Sequence, residues 1–472
     1  VKSIVDRALN AWHASPRARR TATIAIVVVL VVQGYWSVFV RRSDFDWHYA
    51  VGQAFIAGDP YNCNSDHYPL GRTMFNAALA TLPSRLAKIG MYLLAVGGLA
   101  YCIARWQTMA AGRAGTDRPL SAAAMAVALA ILAPYMLRDL DECGLQLLLL
   151  FMLTAAALAL WRGSVWRAGL WLAAAVTYKA TPLLFLPLLL WKRQWRAAAA
   201  MVVFIVALNL APAAWLGWDK MVSCNAQWLA RARNAAATQD PALAPILNCP
   251  PEPRNFGLQV AFARYLQHCW YPPESFSPHN HPWYVHFGSL EPATAGVVTK
   301  GILLLMAAAL AWRFWRPWTT APVPDAASAQ PGDRFATEWA VVTLLCALLS
   351  PFCWKQHLVL ALPCLFLVVN DLFQREKLPR IRLAAVALIA VLVIFTKRFA
   401  WGHELSIVVA SYKPDTIAML VMLLLAVTIA QQDRGRRPTD ASPRRTAKGA
   451  PHGPNHARRT LDPVSPAGVH AG

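Results

Sequence analysis

The sequence predicts an all-α polytopic membrane protein, and three observations predict it. Hydrophobic residues fill 57% of the 472 positions and charged residues 15%, a balance too apolar for a soluble protein of ordinary composition. Several apolar runs approach the roughly 20 residues that a helix needs to cross a bilayer. Lys and Arg gather beside the ends of those runs, as the positive-inside rule requires. That distribution accounts for the formal charge of +21 and removes nucleic acid as an expected partner. Membrane lipid is the expected surrounding.

Taken in order, residues 1–20 carry Lys2, Arg7, Arg17, Arg19 and Arg20 against Asp6 and are expected to be a basic cytoplasmic N-terminus. The run over 21–40 is full length without a small-residue cleavage site, so it reads as an anchor. It delivers an external loop of about residues 41–85, despite Arg41 and Arg42 on the far side. Spans follow near 86–103, 120–137 and 143–160. The next run, 168–191, has Arg162 and Arg167 before it and Lys192, Arg193 and Arg196 after it, so both ends belong to the cytoplasm. Lys179, Thr181 and Pro182 interrupt it, and proline disfavours an unbroken helix there. The segment therefore reads as a short re-entrant-like hairpin, each limb of about 10 residues reaching roughly 15 Å. Lys179 at an intramembrane break is a functional candidate; the alternative is that its stem snorkels from a plain span. A span near 197–215 leads to the longest external loop, about residues 217–291. Further spans lie near 293–312, 339–352, 357–372, 383–396 and 415–430. The sum is about ten full spans plus the hairpin in a transmembrane domain over 21–431. Residues 432–472 are rich in Pro, Gly and Arg and are expected to be a disordered basic cytoplasmic tail.

Cys63, Cys224, Cys249 and Cys269 fall in the external loops and could form two disulfides in an oxidising compartment, with three connectivities open. At the span ends of the same face stand Asp44, Asp46, His48, Arg138, Asp139, Asp141, Arg254, Asn255, Lys355 and His357. Acids and cations gathered at a lipid–water boundary suit glycosyl transfer from a lipid phosphate. A carboxylate removes the acceptor proton, and cations stabilise charge on the departing phosphate. If the segment around Asp44 is extended, Asp44 and Asp46 share a face. Aromatic residues there could stack on sugars, although Trp and Tyr also populate ordinary interfacial belts.

These residues carry a family resemblance. SDFDWHYAVGQAFIAGDPY (43–61) resembles the first external loop of glycosyltransferase family 87, and GLQLLLLFM (144–152) continues the likeness. The stretch around Lys179 and Pro182 is similar to the family's Lys-x-x-Pro hairpin. PRNFGLQVAFARYL (253–266) is similar to its Asn-Gln-Ser-Leu segment, and LLSPFCWKQHLVLALP (348–363) to its Ser-Pro, Trp and His-His segment. The pattern departs at Gln146, where Asn is common, at Phe256 and Gly257, which replace Gln-Ser, and at Gln356, which replaces the first His.

The resemblance implies a GT-C type helical bundle in the cell (inner or plasma) membrane. Its donor would be a polyprenyl-phosphate sugar, of mannose or arabinofuranose type, and its acceptor a glycan or glycolipid hydroxyl on the extracytoplasmic side. No cofactor is implied. Asp44 falls on the presumed base, with Asp46 as its understudy. Lys179, Arg254 and His357 are candidates for the donor phosphate, and His48, Tyr49, Tyr61, Asn255 and Lys355 for substrate contacts. Two carboxylates alone make a weak divalent-metal site, so no metal is expected. The rival reading is a transporter or flippase of a lipid-linked or anionic solute, with Lys179 at its substrate site.

Overall fold

The computed structural model describes residues 15–61, 68–111, 118–240, 242–243, 254–268, 282–318, 333–375 and 379–432. Cys63, Cys249, Cys269, the tail from 433 and most of the N-terminal segment lie outside them, and with them the disulfide and tail expectations. The described residues form one helical unit.

The chain opens with α1 (Pro16–Tyr35), which closes in a π-turn at Trp36–Val40. The connection to the next long helix then holds α2 (Asp44–Ile56) and α3 (Leu70–Ala80). Next come α4 (Ser84–Ala111), α5 (Arg118–Asp141), α6 (Leu145–Trp161) and α7 (Val165–Tyr178). A 3-10 turn at Thr181–Leu184 leads into α8 (Phe185–Trp191). Then follow α9 (Trp195–Leu210), the single turn α10 (Ala213–Leu216), α11 (Trp218–Ala237), α12 (Leu258–Leu266), α13 (Pro292–Arg313) and α14 (Asp333–Leu348). A 3-10 segment at Lys355–Ala361 runs into α15 (Leu362–Phe373), and α16 (Arg380–Ile394), α17 (Arg398–Ser411) and α18 (Pro414–Gln432) complete the described chain.

Six of these stretches are long and apolar enough to cross a membrane, or seven if α16 and α17, bent by 81°, are one span. Residues 145–161, 181–191 and 414–429 are shorter apolar helices. The count of about ten full spans is therefore not reproduced. Hydropathy cannot separate a lipid-facing span from a shorter helix buried among its neighbours, and α6 and α14 are of the second kind, with almost every side chain enclosed. The same contrast orders the bundle. Of the apolar window in Pro16–Val40 only 17% is buried, against 89% in Lys355–Phe373. Lipid would solvate the first; protein surrounds the second. Helix α17 occupies residues expected to be a connection.

The interruption at Lys179 is where the sequence places it. Helix α7 ends at Tyr178, Lys179 is extended (φ −153°, ψ 129°), and Pro182 starts the 3-10 turn. The first external loop departs more. It is helical from Asp44, and one helical residue advances the side chain by about 100°, so Asp44 and Asp46 point in different directions rather than sharing a face.

Close approaches anchor this external layer on the bundle. A Cβ at Gly52 would lie 2.3 Å from the Asn76 carbonyl oxygen, and one at Gly71 would lie 2.2 Å from the Thr177 side chain. Only hydrogen fits at either contact, so α2 rests on α3 and α3 on α7. Gly169 plays the same part between α7 and α9, where a Cβ would meet Ala200 Cβ at 2.6 Å. Gly169→Leu is expected to destabilise the protein by about 1–3 kcal/mol through overpacking, read as a lower thermal midpoint in detergent. An unchanged midpoint would show that this helix pair does not depend on the glycine.

Candidate functional site

Asp44 is the first residue of α2, with its side chain exposed. Its backbone N–H donates to Glu142 Oε2 at 2.7 Å, and Gln356 Nε2 approaches its carboxylate at 3.4 Å. Glu142 in turn receives Arg138 at 2.6 Å and Arg41 at 3.5 Å. Burial holds the Glu142 carboxyl above its usual range, against the opposing effect of the Asp44 N–H bond. The acidic cluster after α5 thus fixes where α2 begins and leaves the Asp44 carboxylate facing outward. Asp46 does different work. It accepts the Ser43 N–H at 2.9 Å, capping the helix, and pairs with Lys88 at 2.8 Å. Both of its oxygens are thus committed to the helix start and to the Lys88 ammonium.

Behind Asp44 lies a polar interior whose centre the sequence reading missed. Arg72 on α3 is 1% exposed. Its Nη2 donates to His48 Nε2 at 2.9 Å and its Nη1 to the Tyr178 carbonyl at 3.2 Å. Its guanidinium stacks on Tyr68 at 3.6 Å and Tyr178 at 4.3 Å, while Nε has no partner. Because Arg72 can only donate, His48 carries its proton on Nδ1, a buried atom that is also without a partner. Burial, and then Arg72, hold the His48 imidazole well below its usual range. The available signal was an arginine in an otherwise uncharged helix between the first two long apolar runs.

Lys179 is also buried, and its Nζ reaches Gln146 Oε1 at 3.4 Å. Asp139 lies within electrostatic reach of Lys179, but its oxygens accept the Gln146 and Leu147 N–H groups at 3.0 and 2.8 Å, opening α6. Among the described residues neither Arg72 nor Lys179 forms a salt bridge. His357 is buried within electrostatic reach of both, its Nδ1 accepting the Trp354 N–H at 3.2 Å. The tertiary fold therefore brings together Lys179, His357, His48 and Arg72 from four separate segments, with Gln356 linking His357 to Asp44.

The remaining candidates divide. Lys355 is partly buried and feels Lys397, Asp415, Arg254 and Arg138, so it belongs to a cationic rim with exposed Arg254. Tyr49 donates to the Leu82 carbonyl at 2.8 Å, and Tyr61 is buried with its carbonyl held by Arg231 at 3.1 Å. Both tie the external layer to its neighbours. Asn255 is a correction. It is fully buried, its Nδ2 donates to Gln239 and the Pro351 carbonyl, and its Oδ1 accepts from Gly257 and Cys353. Every hydrogen-bonding position of that amide is occupied by protein, so it braces the 254–257 and 350–353 segments and has no capacity left for substrate. Cys224 is buried, and its expected partners lie outside the described residues. Among the described residues no three His, Cys, Asp or Glu side chains are placed to hold a metal ion.

The family model described as Glycosyltransferase family 87 matches residues 67–329, more than half of the chain. The chain belongs to glycosyltransferase family 87. Arg72, Lys179 and Arg254 fall inside the matched region, whereas Asp44 precedes it and His357 follows it. No curated protein matches the sequence. Among solved structures, ArnT from Cupriavidus metallidurans in the apo state is similar at 14% identity and a TM-score of 0.34, covering 89% of this chain and 78% of that one. The same protein bound to undecaprenyl phosphate gives 14% identity and 0.33, with 88% and 79% covered.

The buried His48 of this family 87 glycosyltransferase has a consequence for stability. Its folded-state pKa lies below the unfolded value of about 6.5, so below that pH the unfolded chain binds a proton that the folded chain does not. Stability is then full above about pH 6.5 and falls as pH drops, by up to ~1.4 kcal/mol per pH unit. His48→Gln keeps an acceptor for Arg72 and should flatten this dependence, measured as the thermal midpoint between about pH 7.5 and 5. An identical slope in the variant would remove His48 as the cause.

Proposed function

We propose that this integral membrane protein moves one sugar, of mannose or arabinofuranose type, from a polyprenyl phosphate to a hydroxyl of an envelope glycan or glycolipid. In this reading it is a GT-C transferase of the cell membrane, working on the extracytoplasmic side. One observation carries the proposal: an exposed carboxylate, Asp44, is linked through Gln356 to an interior where Arg72 and Lys179 are buried with no salt bridge among the described residues. Family membership supports the reaction class.

The chemistry follows from those positions. The acceptor hydroxyl oxygen attacks the anomeric carbon, and Asp44 takes its proton. The bond from the anomeric carbon to the phosphate oxygen breaks, and the polyprenyl phosphate leaves with an added negative charge. Lys179 and Arg72 meet that charge with donors in a buried interior, where such interactions are strong, and His357 stands beside them with its ring held by the Trp354 N–H and the Phe352 backbone. Attack from the face opposite the phosphate inverts the anomeric centre. Lys355 and Arg254 form the rim past which the donor head group arrives. Gln356, 3.4 Å from Asp44, positions the base. Asp46 keeps its structural place beside Lys88.

The break at Lys179 also favours a second reading, a flippase or transporter of a lipid-linked or anionic solute, because a buried lysine at a helix interruption suits a transported anion. The two part at Asp44. With purified protein and synthetic polyprenyl-phosphate mannose and arabinose, Asp44→Asn is expected to lower transfer by about 10²–10⁴-fold while lipid-phosphate binding persists. A flippase would tolerate the substitution and yield no glycosylated product. Arg72→Gln and Lys179→Ala are each expected to weaken lipid-phosphate binding about tenfold or more. Unaltered binding in both would sink the assignment of these cations to the donor.

A further inference from the structure

Another buried cation lies outside the donor machinery. Arg264, on α12, is 2% exposed. Its Nη2 donates to the Val285 carbonyl at 2.8 Å, whereas Nε and Nη1 have no partner. Among the described residues it forms no salt bridge. Rings surround it: Tyr284 at 4.1 Å, Tyr412 at 5.0 Å and Phe287 at 5.7 Å. Aromatic faces attract the charge, but they leave the in-plane N–H groups unanswered. A buried guanidinium with spare donors and no counter-charge is suited to an oxyanion.

The surroundings are built to keep this arrangement. Tyr412 accepts the Val285 N–H at 2.8 Å and donates to the Trp283 carbonyl. Leu290 N–H bonds the Leu266 carbonyl at 2.9 Å, and a Cβ at Gly288 would sit 2.7 Å from that same oxygen. The 283–290 strip is thus pinned to α12 and to the end of α17. His268 and His286 stack beside it at 3.9 Å, with His286 5.0 Å from Tyr284. The exposed rings of Trp283 and Phe287 offer flat apolar surface at the rim. Helix α12 begins at the Asn255–Gly257 brace, which holds Cys353, three residues before the glutamine that reaches Asp44.

We infer that Arg264 is the centre of a second oxyanion site, separate from the donor cations, which takes the phosphate or carboxylate group of an anionic carbohydrate. Assigning that carbohydrate to the acceptor rests on the transferase reading; the anion site itself does not. Guanidinium and imidazoles would hold the anion, and the rim aromatics the apolar face of the attached sugar.

The test is titration calorimetry with glucose 1-phosphate, glucuronate and inorganic phosphate against the whole protein in phosphatidylcholine nanodiscs, on a Lys179→Ala background that weakens the donor site. Binding is expected to persist there and to fall at least about tenfold with Arg264→Gln added. Arg264→Lys, which keeps the charge but loses the planar donors, is expected to bind more weakly than arginine and serves if the glutamine variant does not fold. Repeating the titration in nanodiscs containing phosphatidylinositol separates sources. Competition identifies a lipid headgroup, and no competition a water-soluble sugar anion, each in agreement with the site. Absence of binding, binding lost with Lys179→Ala alone, or binding indifferent to both Arg264 substitutions overturns it. Sugar transfer is not part of the readout, so failure of the transferase reading would leave this result standing.

Discussion

Two cations, Arg72 and Lys179, are almost wholly enclosed by protein, and the architecture around α2, α3 and α7 follows from holding them there. An ammonium or guanidinium removed from water is costly unless donors and charge are answered. Here the answers are partial. Arg72 has His48, one carbonyl and two aromatic faces, and Lys179 has a long contact to Gln146. The nearby carboxylate, Asp139, has both oxygens bound to the start of α6. Positive charge therefore remains inside with few partners among the described residues. Such a site is stable only if the surrounding helices are rigid, and the glycine contacts between α2, α3 and α7 supply that rigidity.

The acids around Asp44 are arranged on a similar principle. Seven charged side chains crowd the junction of α1, α2, α4 and α5, and six neutralise one another: Arg41 and Arg138 with Asp141 and Glu142, Lys88 with Asp46. Asp44 contributes its backbone to this network and not its carboxylate. Two aspartates separated by one residue thus acquire different roles from helix geometry alone. One caps and pairs; the other is left with a glutamine 3.4 Å away.

Much of this was legible in the chain. The membrane class and the break at Lys179 follow from hydropathy, charge placement and proline chemistry, which act over a few residues. Other features were not. Arg72 gives no strong local signal, because one arginine in a short helix is ordinary until Tyr178 and His48 are known to enclose it. Asn255 is the converse case: a polar residue in a family motif reads as a ligand contact, whereas two of its four hydrogen bonds, to Pro351 and Cys353, join segments about 100 residues apart.

By itself the sequence determined that this chain lives in a bilayer, where its long apolar runs lie, that the run over 168–191 is interrupted, and that acids and cations collect beside span ends. Each is a property of composition or of neighbours in the chain. Tertiary structure decided which apolar helices face lipid and which are enclosed, which aspartate keeps an open carboxylate, and that Arg72, Lys179, His48 and His357 meet. Those outcomes depend on packing between segments remote in sequence, and no local pattern encodes the burial or the partners that packing creates.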